Sequence, residues 1–313
     1  MENNLSLLKA IPIFSGIKDE ALHLLASLLK DEWVQKNDFI IREGDHSNMM
    51  YIIHSGAAEV RKVINREAGK YKTLAILEQG DIFGEMGVFG GEYRSADVVA
   101  REDTVLWRMD YNDFFKVIEA DAADGVKLLR VIITILIERV KAQNTELATL
   151  YEIGRLVPEI NDIKKLAEVV FKQVMNDATP AKMGFIALWN QFNDEFDVYN
   201  SSNIDNACSV EKTDPLSERI FENKAPFLIK DLAEHPEFEG RYYSASSFIV
   251  SPFVHEDEVL GFVFLGSPET KNAFTYNHMI LLSTVCSQIA VRLKEIERKT
   301  EDAYKKRLAD ARL

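Results

Sequence analysis

The 313-residue chain is long enough for two domains of ordinary size, and its 47% hydrophobic and 28% charged content describes a globular protein rather than a disordered one. A formal net charge of −13 argues against a nucleic-acid surface, which needs basic patches to release phosphate counterions. Two cysteines, Cys208 and Cys286, without a CxxC spacing argue against a disulfide framework or a zinc site, and no apolar run reaches the ~18 residues of a bilayer span. The start, MENNLSLLKA, has no basic stretch leading into an apolar core, so a cytoplasmic location is the expectation.

Residues 5–30 read as two short helices around Ile11-Pro12-Ile13-Phe14. In the second, Ala21, Leu22, Leu24, Leu25, Leu28 and Leu29 make a wide apolar face, which predicts a lid over some other element. From Trp33 onward the pattern changes to short β-type runs: DFIIREGD, MMYIIHSG, AEVRKVI, YKTLAILEQGD, ADVVA and TVLWRMD. Turn signals at Gly44-Asp45, Ser55-Gly56, Gly69 and Gly80-Asp81 recur at about a dozen residues. That rhythm predicts an all-β barrel or jelly roll rather than βαβ units.

Inside this region the stretch FGEMGVFGGEYRSA, residues 83–96, puts a carboxylate, Glu85, and a guanidinium, Arg94, on one glycine-rich turn. Arginine offers a planar fork of donors that matches phosphate oxygens, each charge-assisted bond worth roughly 1.5–3 kcal/mol. A carboxylate beside an anion makes sense only if the ligand also brings a donor, as a sugar hydroxyl does. The pattern therefore points to a pocket for a small phosphate that carries a hydroxyl. Gly84 and Gly87 would let backbone N–H groups approach closely, and a short helical turn after Glu85 would add its dipole. A surface hairpin with an incidental ion pair is the plain alternative.

Phe83, Gly84, Glu85, Arg94, Ser95 and Ala96, followed by Val98 and Ala100, resemble the phosphate-binding cassette of the cyclic nucleotide-binding domain family. The resemblance extends over roughly residues 8–145, through the Arg-Glu-Gly-Asp turn at 42–45 and the Ser-Gly turn at 55–56. It implies that Glu85, with Gly84, receives the ribose 2′-OH and that Arg94, with Ser95 and Ala96, holds the cyclic phosphate. Phe83, Met86 and Gly87 would support the cassette. Gly87 stands where that family commonly has Ala or Ser, and Tyr93 replaces a frequent Pro.

After Met109 the composition turns helical. With Val126 at a, the a series is Val126, Ile133, Val140, Leu147 and Gly154, and the d series is Leu129, Leu136, Gln143, Leu150 and Val157. This period of 3.5 predicts a coiled coil, most simply a parallel dimer, or else a helix packed within its own chain. Ile132, Ile135 and Ile137 also need burial, on the roll or on a partner. Gln143 interrupts the seam, with Asn144 beside it. Its amide could fix register, or, by resemblance to the catabolite activator branch, the two could read the edge of a base.

Residues 158–298 read as helix, strands, helix, strand pair and long helix, a mixed α+β domain with an antiparallel sheet. The segments A-P-F-L-I-x-D, S-P-F…E-V-L-G-F-V and the final helix resemble the GAF family. A cyclic-nucleotide site is not carried over, because Lys271, Asn272 and Phe274 stand in the wrong order and Asn277-His278 replace the acids. His235, His255 and His278 lack a second ligand at metal-binding spacing, and Cys208 lacks the neighbours a bilin needs. Met279, Leu282, Cys286, Ile289, Leu293 and Ile296 suggest a second dimer seam on the last helix.

The expected architecture is an α+β multidomain chain. An all-β jelly-roll nucleotide domain occupies 1–125, a coiled-coil signalling helix 126–157, a mixed GAF domain 158–298 and a charged helical tail 299–313. The expected function is non-enzymatic: signal transduction in which a homodimer binds cAMP, or cGMP, and transmits the change allosterically to the GAF domain or an unknown protein partner. Ser95 suits either nucleotide, and a cyclic dinucleotide stays open as well. A catabolite activator-type transcription regulator and a regulatory subunit of a cyclase or phosphodiesterase are the alternatives. No catalytic constellation, metal site or catalytic cofactor is read from the residues.

Overall fold

Alternating burial from Lys30 to Asp110 resolves into strands β1 (Lys30–Val34), β2 (Phe39–Ile41), β3 (Met49–Ser55), β4 (Ala58–Asn65), β5 (Lys70–Leu77), β6 (Ile82–Phe83), β7 (Asp97–Ala100) and β8 (Thr104–Asp110). The structure is a computed structural model that describes residues 2–310 apart from 12–13, 66–68, 90–92, 176–178, 205–207 and 242. Pro12 and Ile13 of the expected helical entry therefore lie outside the described residues, as do the tail side chains from Thr300 onward. The chain divides into two compact units, Met1–Lys141 and Ala142–Leu313.

In the first unit the strands form two four-stranded antiparallel sheets, ordered β1-β8-β3-β6 and β2-β7-β4-β5. Every segment that the alternation marked as a strand is found as one, and the roll expected from the turn rhythm is present. Strand period explains the two cores. Ile53, Leu106, Ala58, Val98 and Phe83 point between the sheets, while the intervening Ile52, Trp107, Met109 and Ile82 point outward to the helices.

That outer face is covered by helices α1 (Glu2–Ala10), α2 (Asp19–Leu28), α3 (Tyr111–Ala120) and the first part of α4 (Ala122–Leu156). Leu22 and Leu25 of α2 supply the expected lid. Asp110 caps α3 by accepting the Asn112 N–H at 2.7 Å, which fixes where the chain leaves β8. On α4, Leu128 and Ile132 enter the core, each burial worth ~1.5–3 kcal/mol. Val126, Ile133, Val140 and Leu147, the expected a series, are instead 50–66% exposed.

In the second unit, α5 (Ile163–Val174) leads to β9 (Met183–Asn190), β10 (Glu195–Ser202), β11 (Ser209–Glu211), α6 (Pro215–Asn223), β12 (Phe227–Ile229), β13 (Ser247–His255), β14 (Glu258–Ser267) and α7 (Tyr276–Asp310). The six strands form one sheet ordered β11-β10-β9-β14-β13-β12, antiparallel throughout. β11 is a short edge strand that its sequence did not announce. The acidic turn between β13 and β14 works because Glu256 and Asp257 adopt φ of 48° and 71°, the left-handed pair a tight hairpin requires. Asp162 and Asp214 cap α5 and α6, and Pro215 sits in the first turn of α6.

One expectation is overturned here. Met279, Leu282, Cys286, Ile289, Leu293 and Ile296 are all buried inside their own unit, on the face of α7 that packs along β13 and β14. Their three-and-four spacing records a core helix rather than a seam for a second chain. The sheet that follows residue 157 also leaves no helix-turn-helix among the described residues of that region.

Candidate functional site

The cassette hangs between β6 and β7. Phe83 ends β6 with 2% exposure and stacks on Tyr51 at 5.0 Å between ring centroids, which anchors the entry to the turn. Gly84 follows at φ 78°, and a Cβ there would lie 2.9 Å from the Met49 carbonyl oxygen, so glycine is required on both counts. Glu85 opens a 3-10 turn that runs to Phe89. On the return side, Arg94 is fixed through its backbone: its N–H donates to the Asp45 carbonyl, and its own carbonyl accepts from Gly44, both at 2.9 Å. The Arg-Glu-Gly-Asp turn thus serves as the clip that holds the arginine.

Arg94 is 8% exposed and its guanidinium is held at both ends. Nη1 donates to the Gly84 carbonyl at 3.0 Å and to the Tyr111 hydroxyl at 3.1 Å. Nη2 donates to Ser47 Oγ at 2.9 Å and to the Met49 carbonyl. Nε is buried and, among the described residues, has no hydrogen-bond partner.

Glu85 shows the same half-satisfied state. Its side chain is 1% exposed; Oε1 accepts from Arg139 Nη1 on α4, and Oε2 is buried without a partner among the described residues. Arg139 Nη2 also donates to the Ile82 carbonyl at 2.6 Å. Among the described residues the cassette therefore holds one buried unpaired donor and one buried unpaired acceptor. Leaving either without a partner costs about 1–3 kcal/mol.

The remaining expected residues fall as follows. Ser95 is exposed; its Oγ donates toward Met86 Sδ at 3.8 Å, and its carbonyl accepts from Lys62 at 2.8 Å. Ala96 is buried at the start of the return into β7, and Met86 is 55% exposed. Gly87 does not adopt the left-handed φ that marks Gly84. A Cβ there would lie 2.8 Å from Cζ and 2.9 Å from Cε2 of Tyr111. Gln143 and Asn144 are exposed on α4, just past the boundary of the first unit. Within that unit, Arg139 of α4, one turn earlier, pairs with Glu85 of the cassette.

Two partners escaped sequence reasoning. Arg139 sits among other charges on α4 and looks like a solvated side chain; Tyr111 looks like the first apolar residue of a helix. The signal for Arg139 was indirect, since a buried acid at 85 demands a cation from some neighbouring element. Burial holds the Tyr111 phenol above its usual range, with Arg94 opposing, so the hydroxyl remains protonated at neutral pH. Among the described residues, no group of three or more His, Cys, Asp or Glu is placed to hold a metal. No helix among them is long and apolar enough to cross a membrane.

Residues 31–121 match the cyclic nucleotide-binding domain family, and residues 161–294 match the GAF domain family. A cyclic AMP receptor protein of Thermus thermophilus is 35% identical over 107 residues, 33% of this chain and 49% of the relative. The cGMP-dependent protein kinase egl-4 of Caenorhabditis elegans is 26% identical over 135 residues, 41% of this chain and 17% of the kinase. This chain thus matches less than half the length of either relative. The solved cyclic nucleotide-binding domain from Methylobacillus flagellatus is 23% identical, covers 51% of this chain and 83% of its own, and gives a TM-score of 0.40.

Proposed function

We propose, from a chain that carries a cyclic nucleotide-binding domain followed by a GAF domain, that it is a non-enzymatic signalling protein whose cassette binds a cyclic mononucleotide. The observation that carries this reading is the complementary pair of buried atoms, Arg94 Nε and Glu85 Oε2, that have no partner among the described residues. A cyclic phosphate oxygen satisfies the first and a ribose hydroxyl the second. Ser95 and Ala96 complete the phosphate side, Gly84 the ribose side, and Phe83, Met86 and Gly87 shape the turn. Gln143 and Asn144 are proposed to read the base, which favours cAMP. The second reading, cGMP, is supported by the cGMP-dependent kinases among the relatives.

The change is proposed to pass along α4 in a homodimer to the GAF domain or to a further protein partner. The exposed apolar stripe of Val126, Ile133, Val140 and Leu147 supports the dimer, because such a stripe is unfavourable in water and has heptad spacing. Coupling between ligand and helix can be no larger than the ligand's differential affinity for the two states, typically about 1–3 kcal/mol.

Calorimetry with cAMP, cGMP and cyclic di-GMP tests the site. One mononucleotide is expected to bind stoichiometrically, and Arg94→Ala to weaken it by about 2 kcal/mol or more through loss of the buried charge partner. Unchanged binding in the variant sinks the site assignment. Gln143→Leu is expected to shift the ratio of cAMP to cGMP affinity; a change confined to oligomeric state would instead make Gln143 a register residue.

A further inference from the structure

We infer that Tyr111 is a positioning residue for the anion subsite, and that Gly87 is glycine in order to admit its ring. The inference rests on the cyclic nucleotide reading for its ligand, but its geometry belongs to the free protein.

Tyr111 is placed with little freedom. It is the first residue of α3, directly after the Asp110 cap, and its backbone N–H donates to the Asn48 carbonyl at 2.9 Å. The α3 terminus and the loop before β3 thus fix it from two sides. Its hydroxyl donates to the Gly84 carbonyl at 2.6 Å and accepts from Arg94 Nη1 at 3.1 Å. Nη1 donates to that same carbonyl, so hydroxyl, carbonyl and guanidinium form a closed triangle.

The consequence concerns direction. With Nη1 held by Tyr111 and Gly84, and Nη2 by Ser47 and Met49, the guanidinium cannot turn about its own axis without breaking several bonds. Nε is then presented along one fixed line, which is what preorganised recognition of a phosphate oxygen needs. Removing the hydroxyl leaves the Nη1 end with the carbonyl alone and takes away one of the four bonds that oppose rotation.

Gly87 belongs to the same unit. Because Cζ and Cε2 of Tyr111 would lie under 3 Å from a Cβ at position 87, alanine there forces the ring away, and the hydroxyl with it. A smaller residue at 111 would remove the conflict along with the positioning.

The test has one arm that needs no nucleotide. Guanidinium NMR of the free protein is expected to show hindered rotation for Arg94, and faster rotation in Tyr111→Phe, which keeps the ring. Equal rotation in the two overturns the positioning role, whether or not a nucleotide binds. The second arm measures affinity for cAMP and cGMP. Tyr111→Phe is expected to weaken the nucleotide that binds by about tenfold, the scale of one hydrogen bond to a charged group. Gly87→Ala is expected to cost as much in the wild type and under twofold, as an order of magnitude, in a Tyr111→Leu background. An equal cost in both backgrounds overturns the Gly87 pairing. Failure of both nucleotides to bind the wild type refutes the proposed ligand and leaves the NMR arm to decide the geometry.

Discussion

Replacing Arg139 with methionine keeps the aliphatic stem and deletes the guanidinium that pairs with Glu85 and donates to the Ile82 carbonyl. The Glu85 side chain is 1% exposed, so its carboxylate loses its cation in a setting where water compensates poorly. Breaking a fully buried pair from one side costs about 3–5 kcal/mol. Arg139 is 33% exposed, so water reaches its end of the pair, and about 2 kcal/mol is the expected loss. Thermal unfolding and calorimetry on Arg139→Met, Glu85→Gln and the double variant separate the cost to folding from the cost to binding. Arg139→Met is expected to melt lower and to bind cyclic nucleotide at least about tenfold more weakly. Adding Glu85→Gln is expected to restore melting but not affinity. Wild-type melting together with wild-type affinity in Arg139→Met would refute the reasoning and make the pair a solvated contact of no energetic weight.

Two further outcomes are expected. Burial holds the His278 imidazole below its usual 6.5, and its Nδ1 accepts the Thr275 N–H at 3.1 Å beside the start of α7. The unfolded chain therefore protonates first as pH falls, so stability is full above about pH 6.5 and is lost as pH drops toward the folded value. Melting curves between about pH 8 and pH 5 should fall more steeply for the wild type than for His278→Gln, and parallel curves would remove the effect. On α4, Ile133→Asp with Val140→Asp places charges in the proposed seam, where each apolar side chain would contribute about 1.5–3 kcal/mol if buried. Sedimentation should show a shift from dimer to monomer with the roll still folded; an unchanged mass would exclude this stripe as the interface.

Much of the fold was legible because its signals are local. Period-two alternation and turn glycines marked the strands of the roll, and the run SSFIVSPFVHEDEVLGFVFLGSPE carried both strands of a hairpin and its acidic turn. What failed was local periodicity without knowledge of the partner surface. The stripe from Met279 to Ile296 has the spacing of a seam, yet a sheet covers it. On α4, Leu128 and Ile132 lie next to the counted heptad and are the residues that enter the core, while the a series faces out. A helix wheel gives apolar faces but not their owners. The site divided the same way. Glu85 and Arg94 could be read from one continuous stretch, whereas Arg139 is 54 residues away from Glu85 and Tyr111 is 17 from Arg94, so only the fold brings them in.

The charge balance of the site resolves the difficulty posed by a carboxylate beside an anion. Glu85 alone would oppose a phosphate, and with Arg94 the pair would be neutral toward it. Arg139 changes the sum: it pairs directly with Glu85, so in the proposed reading the Arg94 charge is left for a singly charged cyclic phosphate. A doubly charged open-chain phosphate would leave an excess negative charge beside buried Glu85, which is costly where the dielectric is low. The same arrangement keeps Oε2 available, because Arg139 occupies only Oε1. In the proposed reading, neutralisation and hydroxyl recognition fall to different oxygens of one side chain. The neutralising cation comes from α4, so the helix proposed to carry the signal is already part of the proposed ribose subsite.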